Sequence, residues 1–336
     1  METLFTNAYG GLAAVKSIGK IQTRDGDGPS QVGGFLGSMG IVPYGVGFPS
    51  SSTLAQTWSK ELAEKVGQTI GQQAVQNGYS GWYAPAVNLH RSPLNGRNYE
   101  YYSEDSLLSG EMVGNTVKGA NNAGVYTYVK HFINNDGEAG IYRDSVYTWM
   151  TEQTLRETYL KPFQMLVQDY DGVGLMTSYN RLGGVWAGGS KALLTNLLRD
   201  EWGFKGAVIT DYSDYHAYMN GDQSLRAGGT LWMSGATGGT MIGETTSNTY
   251  YQTLRQATKY TLYMYLHVRV TNKEYAEASG NDAILRQAFE TPILTVPRIV
   301  WALTILALFW FGWALRALVL DIIAIRKRKK EAKLVS

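Results

Sequence analysis

Between residues 18 and 240, short apolar or glycine-bounded runs alternate with longer stretches whose apolar positions recur at helical spacing. The helical stretches carry their own punctuation. Ser59 to Gln76 opens on a capping serine and closes near Asn77-Gly78, and Glu104 to Asn122 stops before Gly124. Glu152 to Gln168 precedes Asp169 and Gly172, and Lys191 to Trp202 stops at Gly203. This order predicts an α/β fold with a parallel sheet built from repeated β/α units.

Each predicted strand ends in polar groups. IGKIQTRDGDGP leads to Asp25 and Asp27, YAPAVNLHRSP to Asn88 and His90, and VYTYVKHFINN to Lys130 and His131. VGLMTSYN leads to Tyr179 and Asn180, and GAVITDY to Asp211. In barrels and open α/β sheets the C-terminal strand ends are where ligands bind, so these endings predict one polar site on an apolar scaffold. Taken alone, Asp211 could equally cap the turn or helix that follows it. Asp25-Gly26-Asp27-Gly28 lacks the further oxygen ligands of a calcium loop. Lys130, at a buried strand end, needs a polar partner, and a carboxylate across the site would supply it while both held a hydroxylated ligand.

A hydrophobic fraction of 44% and 39 glycines in 336 residues suit one large domain with a full core and many tight turns. Lys plus Arg number 30 against 28 Asp plus Glu, and the net charge of +2 gives no reason to expect nucleic acid. Cysteine is absent, which excludes disulfides, thiol nucleophiles and thiolate metal sites. His90, His131, His216 and His267 have no two members three to five apart, which argues against a histidine metal site. No phosphate loop or dinucleotide fingerprint follows any strand, so no cofactor is expected.

Residues 299 to 315, IVWALTILALFWFGWAL, contain no charge, and the apolar flanks bring the run close to the ~20 residues that cross a bilayer. Trp301, Trp310 and Trp313 and the basic run RKRKK at 326 to 330 predict a transmembrane helix over 297–320 with a cytoplasmic tail over 321–336. The expected location is the cell membrane, single-pass, with the large domain outside. METLFTNAYG has neither a basic n-region nor an apolar h-region, so an upstream segment carrying the export signal is expected.

LHRSPLNGRNYEYYSEDSLLSGEM at 89 to 112, KHFINNDGE at 130 to 138, and MTSYNRLGGVWAGGSKALLTNLLRDEWGFKGAVITDY ending at residue 212 resemble glycoside hydrolase family 3. The similarity covers roughly residues 20 to 240. It implies a (β/α)8-like (TIM-type) barrel, complete or incomplete, over 18–245, with a lead-in over 1–17 and a helical segment over 246–294. It also implies a β-glycosidase of the β-glucosidase type acting on a β-linked oligosaccharide or glycoside, with Asp211 as the catalytic nucleophile. Asp27, Arg97, Lys130 and His131 then grip the sugar hydroxyls, Tyr179 lies against the nucleophile, and Met176 and Tyr212 complete the substrate-binding set. Lys130 and Arg97 would keep the Asp211 carboxyl low. Two departures stand out. Tyr212 occupies a position where the family often has Trp, and no Glu here matches the family's general acid, which a separate α/β-sandwich domain contributes. An acid-bearing sandwich domain encoded upstream is therefore the expected partner, beside the lipid bilayer. If the acid lay within this chain, Glu138 and Glu104 would be the first carboxylates to test. The alternative is a non-catalytic or degenerate membrane-anchored sugar-binding protein.

Overall fold

The computed structural model describes residues 5, 8–33, 44–138, 143–214, 216–235, 246–267 and 304–316. The chain forms two units, Met1–Phe289 and Glu290–Ser336.

In the first unit the strands are β1 (Asp25–Asp27), β2 (Gly81–Tyr83), β3 (Tyr126–Thr127), β4 (Val129–Phe132), β5 (Tyr147–Thr148), β6 (Gly174–Thr177), β7 (Arg181–Leu182), β8 (Val185–Trp186) and β9 (Ala207–Ile209). β1, β2 and β3 pair in parallel, with Asp27 opposite Tyr83 and Gly81 opposite Tyr126. β4, β6 and β9 form a second parallel sheet, with Val129 opposite Leu175 and Met176 opposite Ile209. Parallel bridges at Ala86–Lys130 and Ile209–Leu231 extend this order at either side. A small sheet of β5, β7 and β8 holds an antiparallel β7–β8 hairpin.

Among the described residues the strands fall into three three-stranded sheets, and the closed eight-stranded ladder expected of a TIM-type barrel is not among them. The stretch read as a lead-in reaches between the two ends of the parallel order. Trp232 N–H donates to the Phe5 carbonyl, Ala8 N–H to the Trp232 carbonyl, and Asp25 N–H to the Gly10 carbonyl. An irregular segment there satisfies backbone groups that a strand would otherwise pair.

Strand alternation divides the core in two. Leu175 and Val208 join Leu166 and Leu194 in the apolar layer shared with the helices, whereas Met176 and Ile209 join Tyr83, Tyr126 and Tyr128 in a separate interior cluster. Both faces of β6 and β9 are thus buried, which is why their sequences are continuously apolar. Gly81 permits a close approach: a Cβ there would stand 2.1 Å from the Tyr126 ring and 2.6 Å from an Asp25 carboxylate oxygen.

The predicted helices hold to within a few residues. α1 (Ser51–Ala55) and α2 (Lys60–Gln76) lead the series, and Ser59 caps α2 by accepting from Leu62 N–H. α3 (Ser106–Ala123) is capped by Asp105 and ends on Gly124 at φ 109°. The helix expected from Glu152 is interrupted: a turn at Glu152–Thr154 and a π-helical Leu155–Tyr159 precede α4 (Lys161–Asp169). Pro162 at the start of α4 has no N–H to continue an earlier helix. Ala192–Glu201, expected to be α-helical, is wound as a π-helix. α5 (Gly221–Ala227) and α6 (Asn248–Leu266) follow, and residues 268–294 of the expected helical segment lie outside the described residues.

In the second unit residues 304–316 are helical. Among the described residues no helix is long and apolar enough to cross a membrane, so the span predicted over 297–320 finds no support there. Residues 297–303, 317–320 and the tail 321–336 lie outside the described residues.

Candidate active site

Asp211 follows β9 by one residue and is 7% exposed. Its Oδ1 accepts from the Tyr212 N–H at 2.7 Å, whereas Oδ2 is buried and accepts no hydrogen bond. Nε2 of His131, on β4, stands 3.6 Å from that oxygen. Burial pushes the Asp211 carboxyl up, and the charges of Arg97, Arg143 and Lys130 offset this only in part, so it rests above the ordinary aspartate range. The expectation that the cations would hold it low is thereby corrected: desolvation of an enclosed carboxylate outweighs them.

The same enclosure acts oppositely on the imidazole. Burial, followed by the charges of Arg97, Lys130 and Arg143, pushes His131 well below its usual value, so the ring facing Asp211 is neutral. Asn88 fixes the backbone at this point. Its Nδ2 donates to the His131 carbonyl and its Oδ1 accepts the His131 N–H, both at 2.9 Å.

Lys130, adjacent on β4, is buried and donates to Asp27 Oδ1 at 3.0 Å. This is the carboxylate partner that a buried lysine requires. Burial acts to lower Lys130, but Asp27 and Glu100 reverse the direction and keep the ammonium charged. The Asp27 side chain is 64% exposed, so a carboxylate oxygen beyond the Lys130 bond remains open to a ligand. Its enclosure acts upward and is outweighed by Lys130, the Gly28 N–H and Arg97, which hold the carboxyl below the ordinary range.

Arg97 lies in the loop after β2 and enters the site between two glutamates. Its Nε donates to Glu100, and its NH1 donates to Glu138 Oε1 at 2.7 Å. His90 braces this loop through Nε2, 2.9 Å from the Asn98 carbonyl and 3.0 Å from that of Tyr101, so it supports the site from outside. Glu138 also forms an ion pair with Arg143, Nε lying 2.8 Å from Oε2, and accepts from Asn135 Nδ2 at 2.7 Å. Burial raises Glu138, but the two arginines and these hydrogen bonds take it below its ordinary value.

Tyr179, two residues past β6, donates its hydroxyl to the Tyr212 carbonyl at 2.9 Å, and so supports the backbone beside Asp211. Arg143 sits over its ring at 4.2 Å. Tyr212 packs against the interior apolar cluster, to which Met176 belongs. Met176 is 3% exposed and serves there as packing.

Asp27, Arg97, Lys130, His131, Tyr179 and Asp211 thus converge, although they come from five separate stretches of chain. Arg143 went unanticipated because nothing in AGIYRDSV marks it as part of a site. Glu138 was legible as part of KHFINNDGE, but its role as the shared anchor of Arg97 and Arg143 was not.

Residues 31–237 match the family described as the glycosyl hydrolase family 3 N terminal domain. The chain is 39% identical over 224 residues to a β-glucosidase of Rhizobium radiobacter, covering 66% of this chain and 26% of that protein. It is 37% identical over 207 residues to β-glucosidase A of Butyrivibrio fibrisolvens, covering 62% and 24%. It therefore spans about a quarter of the length of these curated relatives. Among solved structures, β-glucosidase 3B from Thermotoga neapolitana in complex with α-D-glucose aligns with a TM-score of 0.67 at 31% identity, covering 80% of this chain and 39% of that one. The β-glucosidase from Kluyveromyces marxianus in complex with glucose aligns with a TM-score of 0.70 at 28% identity, covering 82% and 33%. With the match extending from β1's flank through β9, the chain belongs to the glycosyl hydrolase family 3 N-terminal domains.

Proposed function

We propose that this chain bears the nucleophile half of a retaining β-glucosidase, which removes terminal non-reducing β-D-glucosyl residues through a glycosyl-enzyme intermediate on Asp211. One observation carries this reading: Oδ2 of Asp211 is buried, accepts no hydrogen bond and lies among groups suited to gripping hydroxyls. In the first step Oδ2 forms a bond to the anomeric carbon while the bond to the leaving oxygen breaks and its electron pair moves to that oxygen, which takes a proton. In the second, water forms a bond to the anomeric carbon as the bond to Asp211 breaks, Asp211 leaves as carboxylate, and the water's proton passes to the conjugate base of the acid that served the first step. Asp27, Lys130 and Arg97 hold the sugar with charge-assisted hydrogen bonds, which replace the water stripped from its hydroxyls. The β-glucosidase names of the relatives support the substrate class.

The proton for the leaving group comes from elsewhere in the complete enzyme. Glu138, held below its ordinary value by two arginines, is a poor donor, and Glu104 is exposed next to the cap of α3. A separate acid-bearing domain is the partner that fits. A membrane location is likewise our reading, supported by the charge-free run at 299–315 and by the exposure of Phe309, Trp310, Phe311 and Trp313 on the helix at 304–316.

The test is to treat the 336-residue chain with 2,4-dinitrophenyl 2-deoxy-2-fluoro-β-D-glucoside, whose leaving group needs no acid, and to map the adduct by mass spectrometry. A fluoroglucosyl label on Asp211 is expected. A label on another carboxylate, or none, overturns the reading.

A further inference from the structure

We propose that Tyr9 is a specificity-determining residue: with Tyr212 it forms an aromatic wall on which the sugar ring of a bound glycoside lies. This rests on the glycoside reading of the site. Tyr9 is 50% exposed, but the backbone on either side of it is fixed. Ala8 N–H donates to the Trp232 carbonyl at 3.1 Å, and the Tyr83 hydroxyl donates to the Ala8 carbonyl at 2.8 Å while accepting Gly10 N–H at 3.0 Å. Asp25 N–H donates to the Gly10 carbonyl at 3.0 Å. None of these bonds uses the Tyr9 side chain, whose ring is half-exposed.

Its direction is set by Tyr212. The Tyr9 and Tyr212 ring centroids lie 5.4 Å apart at an interplanar angle of 59°, and Tyr212 directly follows Asp211. Burial raises the Tyr9 phenol, and the charges of Asp27 and Asp214 add to this. The ring therefore lies against the residue that directly follows Asp211. A pyranose has polar edges and C–H-rich faces; Asp27 and Lys130 suit an edge, and a tyrosine ring suits a face. Among the described residues the exposed Trp58 (74%) and Trp149 (70%) make no ring contact with a site residue, and this separates Tyr9 from them.

The fluoroglucoside separates binding (Ki) from bond formation (kinact). In the full chain, Tyr9→Leu and Tyr9→Gln should raise Ki about tenfold, the scale of one lost aromatic contact, while leaving kinact nearly unchanged. Tyr9→Phe and Tyr9→Trp should keep Ki within about twofold of the parent chain, and all four should melt as the parent does. An unchanged Ki in the Leu and Gln variants overturns the proposal, as does a Phe variant as weak as the Leu variant, which would assign the effect to the hydroxyl. If the parent chain itself is not labelled, the glycoside reading falls and the Tyr9 wall with it.

Discussion

Nε2 of His131 faces the unpartnered Oδ2 of Asp211 at 3.6 Å, a neutral imidazole opposite a carboxyl that burial has raised. The cations around the pair, Arg97, Lys130 and Arg143, act on both residues in the same sense: they favour the ionised carboxyl and the uncharged ring. The contact is thus a placement of the Asp211 carboxyl against a fixed, uncharged wall rather than an ion pair.

Replacing the nucleophile should end covalent chemistry without unfolding the chain. Asp211→Ala is expected to lower the fluoroglucoside labelling rate by at least ~3 orders of magnitude, because covalent catalysis has no substitute for a missing nucleophile. Its melting temperature should match or exceed that of the parent, since the substitution removes a buried carboxylate oxygen with no partner. A residual rate within tenfold of the parent would count against the assignment.

The pH dependence follows from the same burial. Attack requires the ionised carboxylate, so the labelling rate should fall as pH drops, with a midpoint above that of an ordinary aspartate. Arg143→Gln removes a charge that lowers Asp211 and should move this acid limb to higher pH. A limb that stays in place in the variant would separate Arg143 from the nucleophile electrostatically.

Glu138 can be tested as an anchor against its possible use as an acid. Glu138→Gln should loosen Arg97 and Arg143 together and weaken reaction with glucosides of good and poor leaving groups alike. Loss of a general acid would instead spare the good leaving groups. Comparing 2,4-dinitrophenyl β-D-glucoside with cellobiose, with any acid-bearing partner supplied, separates the two; selective loss on cellobiose would make Glu138 the acid.

Asp25 offers a stability measurement outside the site chemistry. Burial raises its carboxyl to about 7, although the Tyr126 hydroxyl donates to it at 2.5 Å and Lys20 adds a favourable charge. The native state therefore binds this proton more tightly than the unfolded chain does. The stabilisation is complete below the unfolded aspartate value of ~4 and is lost as pH rises to about 7, leaving the chain less stable there. Asp25→Asn, which keeps an acceptor for Tyr126, should flatten that slope in urea melts taken from pH 4 to pH 8. An unchanged slope would place the titration elsewhere.

Much of this arrangement was legible in the residue order. The capping residue Ser59 and the terminal Gly124 act within one turn of their own helices, so the start of α2 and the end of α3 could be read locally. The continuous apolar runs of β6 and β9 expressed burial on both faces, which placed Asp211 just past a strand end. The family-bearing segments brought forward Asp27, Arg97, Lys130 and His131 as a set, because their identities answer to one ligand.

Tertiary structure decided what depends on groups distant in the chain. The sign of the Asp211 shift is a contest between desolvation and three charges, and only the depth of burial settles it. Arg143 entered the site through Glu138 and the Tyr179 ring, contacts with no local signature. The π-helical winding at Leu155–Tyr159 and Ala192–Glu201 escaped a reading by period, because it arises from how the backbone bonds are met in the packed chain. The segment around Tyr9 looked like a loose lead-in, since its hydrogen-bond partners, Trp232, Tyr83 and Asp25, are exposed as neighbours only once the strands are assembled.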